Sequence, residues 1–500
     1  MRKTTQKDAK ESKKGLTLSE KRKRLAEKKS KKKVGTPQES SSPSQHQVDR
    51  LLGHYQACRL DETETLATLM SQEFPNHQFA WKVLGAVLQQ SGRTTESLIA
   101  KQRSVALAPQ DAEAHYNISV TLQELGRLGE AESSLRQALF LQPDLVEAHN
   151  NLATILNNTG RLFEAEASYR QALIMEPQFA DAHSNLGNTL KELGRLDEAE
   201  ASCRKAIALK IDFADAHYNL GNTLYELGKL DEAEASCRQA ITLKPDFFLA
   251  HQRLLQCLFS QDKKSSFFEQ LNYLISEGQT NAVMGSLACR AALKYGVEIV
   301  NPFCMHPLEY VSHIDLTSEY DFERVFVSQA MSLLTGNMLA ERSQNLLISG
   351  KQTSGNLFEL QNEDLKEVEA IIRKEIDKYR FDLKGSSEGF ITQWPSEYAL
   401  KGWLISMKSG GRLKPHIHNG GWLSGSIYIN VPPKSAANSG NLNVSLGEDK
   451  DVADIHLNIG ETINVKAGSL VLFPSSLTHH TTPFQSEQER IVLAFDVKVK

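Results

Sequence analysis

The sequence has few cysteines and no long apolar run. Its 500 residues include six cysteines, none of which forms a CxxC pair, so we expect reduced thiols rather than a disulfide framework. No apolar stretch approaches the ~18 residues that a membrane span needs. Met1 leads into a lysine-rich segment rather than an apolar one, so we expect no secretory signal. These features predict a cytoplasmic protein without a membrane span.

The charge is small in total but unevenly distributed. The formal charge is −4 at pH 7, yet residues 1–33 carry 15 Lys and Arg against 4 Asp and Glu. Residues 1–45 contain few large apolar side chains, so we expect a disordered, lysine-rich arm. Nucleic acid or an anionic surface could bind through this basic arm, 1–33; a solvated tail is the alternative. The acidic remainder argues against nucleic acid as a partner of the folded part.

A 34-residue period runs through the first half of the chain. It is visible in one column of histidines, His115, His149, His183, His217 and His251. A proline precedes most of them by six residues, with Ile211 in its place once. The period, with two amphipathic segments and a proline near its end, resembles tetratricopeptide repeats. The resemblance implies an α-solenoid over 46–280, with clear repeats at about 78–247, a weaker one at 44–77 and a capping partial helix from His251.

Two columns of the repeats have different predicted roles. The histidines stand where such repeats place a large packing residue, so we expect them to be structural. A column of asparagines follows on the first helix of each repeat: Asn117, Asn151, Asn185 and Asn219. By the family resemblance this helix faces the concave groove, and an amide suits the backbone of a bound protein or peptide. Hydrogen bonding between helices is the alternative role.

The pattern changes after about residue 275. Apolar residues at helical spacing predict a helix over 363–380. Short apolar runs with turn residues follow, at 403–407, 423–431, 442–446, 462–465, 469–473 and 491–499. No helix-length segment separates these runs, so we expect antiparallel strands in a sandwich or barrel. The predicted fold class is therefore α plus β multidomain, with a second domain over 281–500 that begins with a helical part.

Histidines cluster in the last hundred residues. His416 and His418 are two residues apart in a predicted extended segment. Residues at this spacing lie on the same face, so both imidazoles can face one metal ion. About sixty residues later an apolar strand ends, His479 and His480 follow it, and Arg490 opens the final strand. Histidines at the surface of short β-rich segments are the alternative, because an HxH pair alone is a weak signal.

The sequence around these residues resembles the Fe(II)/2-oxoglutarate oxygenases. The resemblance is to a family whose domain often follows tetratricopeptide arrays in bacterial proteins. The matching segments are Pro415–Asn419, Trp422–Tyr428, Gly468–Pro474 and Glu489–Asp496. The resemblance implies a double-stranded β-helix (a jelly-roll or cupin-like fold), with Fe(II) and the cosubstrate 2-oxoglutarate. It assigns the metal to His416, His418 and His479. It assigns the carboxylate of 2-oxoglutarate to Arg490, with a hydroxyl from Tyr428, and no catalytic residue beyond the metal site.

The sequence departs from the family at one position. The usual metal set is two histidines and a carboxylate, and His418 stands in the carboxylate's place. Three histidines can still hold a divalent ion; alternatively only one of His416 and His418 ligates and water fills the vacancy. Two functions follow: an oxygenase that recruits a protein or peptide through its solenoid, or a non-catalytic scaffold with a degenerate or structural-metal β domain. A zinc or other cupin-like isomerase is a more distant third.

Overall fold

A computed structural model of the chain describes residues 42–336, 341–342, 346–360, 362–434, 436, 438–447 and 459–499. Residues 1–41 of the predicted arm lie outside this range. The chain separates between Gly126 and Arg127 into two compact units, and each is described by itself. None of the helices in the described ranges is long and apolar enough to cross a membrane.

Among the described residues, fifteen helices precede the β domain. In the first unit they are Gln45–Gln56, Leu60–Glu73, Gln78–Gln90, Thr94–Leu107 and Ala112–Glu124. In the second they are Leu128–Leu141, Val146–Asn158, Leu162–Met175, Ala180–Glu192, Leu196–Leu209, Ala214–Glu226, Leu230–Leu243, Phe248–Ser260, Lys264–Ser276 and Ala282–Tyr295. Each 34-residue period supplies two helices, as predicted. The prediction of only a partial helix from His251 is wrong. A complete helix pair, Phe248–Ser260 and Lys264–Ser276, and the further helix Ala282–Tyr295 follow Leu243.

Small residues set the turns and the close helix contacts within the repeats. Gly160 and Gly194 end the turn between two helices with φ of +78° and +76°, a left-handed conformation that favours glycine. A Cβ on Gly187 would lie 2.4 Å from the Sγ of Cys203, so the two helices approach too closely for a side chain there. Burial raises the pKa of the Cys203 thiol to about 12. This cysteine is therefore a packing group.

The described residues of the C-terminal part form two antiparallel sheets. Its strands are β1 Ser312–Asp315, β2 Glu341–Arg342, β3 Leu347–Thr353, β4 Tyr398–Leu413, β5 Leu423–Asn430, β6 Leu442–Ser445, β7 Gly460–Ile463, β8 Ser469–Pro474, β9 Thr478–Thr481 and β10 Arg490–Val499. The larger sheet has the order β1-β8-β5-β10-β4-β3-β2 and the smaller β7-β6-β9. All six predicted strands are present, while β1, β2, β3 and β9 were not predicted.

Helices cover one face of the larger sheet. They are Ser328–Thr335, Glu363–Asp382 and Gly389–Thr392, with a π-helical turn at Glu323–Val327 and 3₁₀ turns at Pro307–Tyr310, Leu316–Ser318 and Leu357–Glu359. Alternate residues of β10, such as Leu493 and Phe495, share an apolar core with Val368 and Ile372 of the predicted helix. On the opposite face, Val492 packs in a second core with residues of the smaller sheet. This layered arrangement confirms the predicted fold class, a helical repeat array followed by a jelly-roll-type β domain.

Candidate metal centre

Three histidines meet in a cavity between the two sheets. His416 and His418 follow β4, and His479 lies in β9. His416 and His479 are joined by two backbone hydrogen bonds, of 3.1 and 2.9 Å. One nitrogen from each of the three side chains lies within 4.8 Å of the other two. The structure thus brings together the three predicted ligands, and the neighbouring His480 is not part of the group.

The hydrogen bonds of these histidines leave the same nitrogen available in each. His416 and His479 donate their Nδ1–H to the backbone carbonyl two residues earlier, at 2.8 and 3.3 Å. His418 donates its Nδ1–H to Asp496 Oδ1 at 2.5 Å. An imidazole that donates through Nδ1 keeps its lone pair on Nε2. The Nε2 atoms of His416 and His418 lie 3.3 Å apart, so their lone pairs are placed to share one ion.

Burial favours the neutral form of two of the three histidines, His416 and His479. Removal from water, with a smaller effect of the neighbouring His418, lowers the pKa of His416 to about 4. Burial, again with the neighbouring histidines, lowers the pKa of His479 well below its usual value. A neutral imidazole is the form that binds a metal ion. The donor set therefore fits a divalent transition metal.

A buried arginine lies in the same cavity, whose volume is about 40 Å³ and whose walls include Trp403, Phe473 and Val492. The Arg490 side chain is 1 % exposed, and its Nη1 donates to the carbonyl of Gly440. Its Nε and Nη2 have no hydrogen-bond partner among the described residues.

Two unpartnered donors on a buried cation cost free energy until an acceptor reaches them. A carboxylate accepts two parallel hydrogen bonds from a guanidinium. The Arg490 end of the cavity therefore fits the carboxylate that 2-oxoglutarate would present.

Tyr428 lies against this arginine. The centre of its ring is 5.0 Å from the guanidinium carbon of Arg490, within the range of a cation–π contact. Burial raises the pKa of the Tyr428 phenol. The ring supports the guanidinium, while a hydroxyl contact with the cosubstrate stays a prediction.

The repeat asparagines contact neighbouring helices. Asn185 Nδ2 donates to Asn150 Oδ1 at 3.3 Å, and Asn219 Nδ2 donates to Ser184 Oγ at 3.0 Å. The other two members of the column, Asn117 and Asn151, are half-buried. For two positions the structure thus shows the contacts of the alternative role. A role of the column in partner binding stays a prediction.

The repeat histidines are held by the backbone. In each of the five, Nε2 lies 2.9–3.2 Å from the carbonyl oxygen of the residue six positions earlier. Trp81, at the equivalent earlier place, donates its Nε1–H to the carbonyl of Pro75 at 3.0 Å. The residue at this position therefore forms a side-chain hydrogen bond between the first helix of each repeat and the turn before it.

Sequence reasoning missed Asp496. This aspartate lies on the cavity face of β10, at an even spacing from Arg490, and is 4 % exposed. Asp496 shares the cavity-facing side of β10 with Arg490, Val492 and Ala494, and a buried charged residue needs a partner. That alternation was a signal for a second functional group on β10.

Comparisons with known proteins identify both parts of the chain. Residues 401–496 match a family model described as "Putative 2OG-Fe(II) oxygenase". Models of the tetratricopeptide repeat match residues 116–170, 168–201, 187–228 and 214–247. None of the curated proteins compared with the chain matches it.

Solved structures resemble the repeats. TTC0263, a tetratricopeptide protein of Thermus thermophilus, is 25 % identical over 36 % of this chain and 99 % of its own, with a TM-score of 0.32. YrrB, titled a tetratricopeptide protein "with an unusual peptide-binding site", is 21 % identical over 37 % of this chain and 95 % of its own, with a TM-score of 0.32. The chain thus combines tetratricopeptide repeats with a C-terminal domain that matches the 2OG-Fe(II) oxygenase family model.

Proposed function

We propose that this protein is an Fe(II)/2-oxoglutarate-dependent oxygenase, a hydroxylase, that recruits a protein or peptide through its repeats. One observation carries the proposal. Three histidines present nitrogens to a common point, in the same cavity as a buried arginine with two unpartnered donors. A metal with open positions and a keto acid held by its far carboxylate require these two features together.

The proposed roles follow from the contacts. His416, His418 and His479 hold Fe(II), and Arg490 binds the far carboxylate of 2-oxoglutarate against the Tyr428 ring. The apolar walls of the cavity exclude water, which strengthens the charged hydrogen bonds of Arg490. When bound, the metal supplies the redox chemistry by which O₂ converts 2-oxoglutarate to succinate and CO₂ and hydroxylates a C–H bond.

A cleft of about 330 Å³ supports the recruitment of a partner near the metal centre. Its walls come from the repeat turn Asn157–Gly160 and from β-domain residues that include Lys401 and Trp403. Trp403 lines both this cleft and the histidine cavity, and its ring centre is 5.6 Å from that of His418. A segment held by the repeats would therefore lie beside the proposed metal site.

The remaining parts of the proposal concern the whole chain. We assign residues 46–280 to partner recruitment and 281–500 to catalysis. Any contact with nucleic acid or an anionic surface belongs to the arm 1–33. The six cysteines are free thiols, which supports a place in the reducing cytoplasm.

The test is a spectroscopic titration of the full-length protein. Fe(II) and 2-oxoglutarate added without oxygen should give a weak visible charge-transfer band, and air should then release succinate. His479→Ala should show neither, whereas His183→Ala, in a repeat, should show both. A partner co-purified with the protein should gain 16 Da only when the metal site is intact. Wild-type protein with no band and no succinate would leave the non-catalytic scaffold as the function.

A further inference from the structure

His418 differs from the other two histidines in what holds it. His416 and His479 donate to neutral backbone carbonyls, whereas His418 donates to the carboxylate of Asp496. His418 is also the residue that stands where the usual metal set has a carboxylate ligand. The carboxylate is therefore present on this side of the site as well, but behind His418 rather than among the ligand atoms.

Asp496 lies in a closely packed polar cradle. Its partner across the sheet is Ser424 of β5, which donates to Asp496 Oδ1 at 2.9 Å and lies 2.8 Å from Ser475 Oγ. A Cβ on Gly421 would come within 2.5 Å of Ser475 Oγ and 3.3 Å of Asp496 Oδ1. The backbone thus closes over these groups, and the carboxylate is held in one place.

We propose that Asp496 is a positioning residue of the metal site. It fixes His418 with Nε2 toward the cavity and supplies, from behind the ligand, the negative charge that the three-histidine set lacks. The inference rests on the metal site of the proposed function. It adds to that function a fourth residue, which determines how a site without a carboxylate ligand holds a divalent cation.

The chemistry of the pair supports this role. A carboxylate only accepts hydrogen bonds, so the proton of the pair lies on His418 Nδ1 and the lone pair on Nε2. Asp496 faces the nitrogen that points away from the cavity, and it is not among the residues that the structure groups as possible ligands. Carboxylates behind ligating histidines orient the ring and increase its basicity, and their loss weakens metal affinity by about 10- to 100-fold.

The test separates charge from hydrogen bonding. Asp496→Asn keeps the size and an acceptor but removes the charge, while Asp496→Ala removes both. Asp315→Asn is the matched control, because Asp315 is an ion-paired aspartate of β1, 2.6 Å from Lys466. Two quantities are measured on the full-length protein: the His418 tautomer without metal, by ¹⁵N NMR of histidine-labelled protein, and the affinity for Co(II), by its absorption.

The wild type should show the Nδ1–H tautomer of His418. Asp496→Asn should keep it and bind Co(II) about tenfold more weakly; Asp496→Ala should lose it and bind about 100-fold more weakly. Asp315→Asn should change neither quantity. An Nε2–H tautomer in the wild type, no Co(II) binding by the wild type, or unchanged Co(II) affinity in both Asp496 variants would each overturn the proposal. If the Co(II) affinities and the tautomer are as expected but no succinate forms, the proposed oxygenase activity is wrong and the role of Asp496 still holds.

Discussion

The five periodic histidines of the repeats and the three histidines of the candidate metal centre have opposite environments. In the periodic histidines Nε2 contacts a backbone carbonyl of the preceding turn. In His416, His418 and His479 it is Nδ1 that is hydrogen-bonded, and the Nε2 atoms of His416 and His418 face each other. The same residue type is therefore structural in one region and available to a ligand in the other.

Two buried cations repeat this contrast. Lys101, in the first repeats, is 5 % exposed and donates to Thr121 Oγ1 at 2.7 Å, to the carbonyl of Asn117 at 3.1 Å and to Gln89. Arg490, in the β domain, keeps two donors without a partner among the described residues. The difference shows where to expect a ligand: at buried polar groups that the fold has oriented but not satisfied.

The largest expected effect is on metal binding. His479→Ala should weaken Co(II) affinity by about 100-fold or more, because four-ligand sites gain about 10–16 kcal/mol in all, or ~3 kcal/mol per ligand. His183→Ala should leave the affinity unchanged, because its nitrogen is used by the carbonyl of Pro177. Equal losses in both variants, measured by optical titration, would remove the distinction between the two sets of histidines.

A smaller effect is expected on the cosubstrate. Arg490→Lys keeps the charge but loses one of two parallel hydrogen bonds, each worth about 1.5–3 kcal/mol when charged. The 2-oxoglutarate concentration for half-maximal succinate release should rise about 10- to 100-fold. Lys101→Arg is the control and should not alter it. An unchanged requirement in Arg490→Lys would contradict the role given to the guanidinium.

Arg490 should also reduce the stability of the protein without ligand. Arg490→Met removes two unsatisfied donors, each costing about 1–3 kcal/mol, at the loss of one bond to Gly440. The opening free energy of β10 should therefore rise by about 1–2 kcal/mol. Hydrogen exchange of peptides from residues 490–499 measures it. A decrease in protection would indicate that the fold already satisfies this guanidinium.

The smallest effect concerns pH and Lys101. Burial lowers the pKa of Lys101 to about 8 from 10.5, so between these values the unfolded chain holds a proton that the folded chain has released. Stability must then increase with pH in this window. From pH 8 to 9.5 the helix Thr94–Leu107 should gain about 1 kcal/mol of opening free energy over a Lys101→Met variant. Hydrogen exchange corrected for intrinsic rates gives this difference; no difference would mean that burial of the ammonium carries no cost.

Local pattern predicted most of the fold. The period of 34 located the helix pairs, and alternating apolar runs located six strands. It did not locate β1, β2, β3 or β9. These strands carry polar side chains, as in Thr478–Thr481, and each is defined by its pairing with another strand, β9 with β6 and β3 with β4. Beyond His251 the helices still begin 34 residues after their counterparts, but the repeat residues change. Phe267 and Gln279 stand where the previous repeat has alanine and proline, so the sequence predicted only a partial helix there.

The residues of the candidate site could be named from the sequence, but their arrangement could not. His416, His418, His479 and Arg490 were recognisable from spacing and resemblance. The link between Asp496 and His418 depends on the register of β10 against β5, which joins residues more than seventy positions apart. A pattern among neighbouring residues cannot predict which residues of two distant strands are paired.

The sequence by itself determined the two architectures and the residue types at the site, because periodicity of 34, 3.6 or 2 is a property of neighbouring residues. The tertiary structure decided which polar groups remain unsatisfied. Each of the five periodic histidines meets a carbonyl only six residues earlier in the chain. The nitrogens of His416, His418 and His479 meet only when two sheets close around them, and this closure separates a structural histidine from one in the candidate metal site.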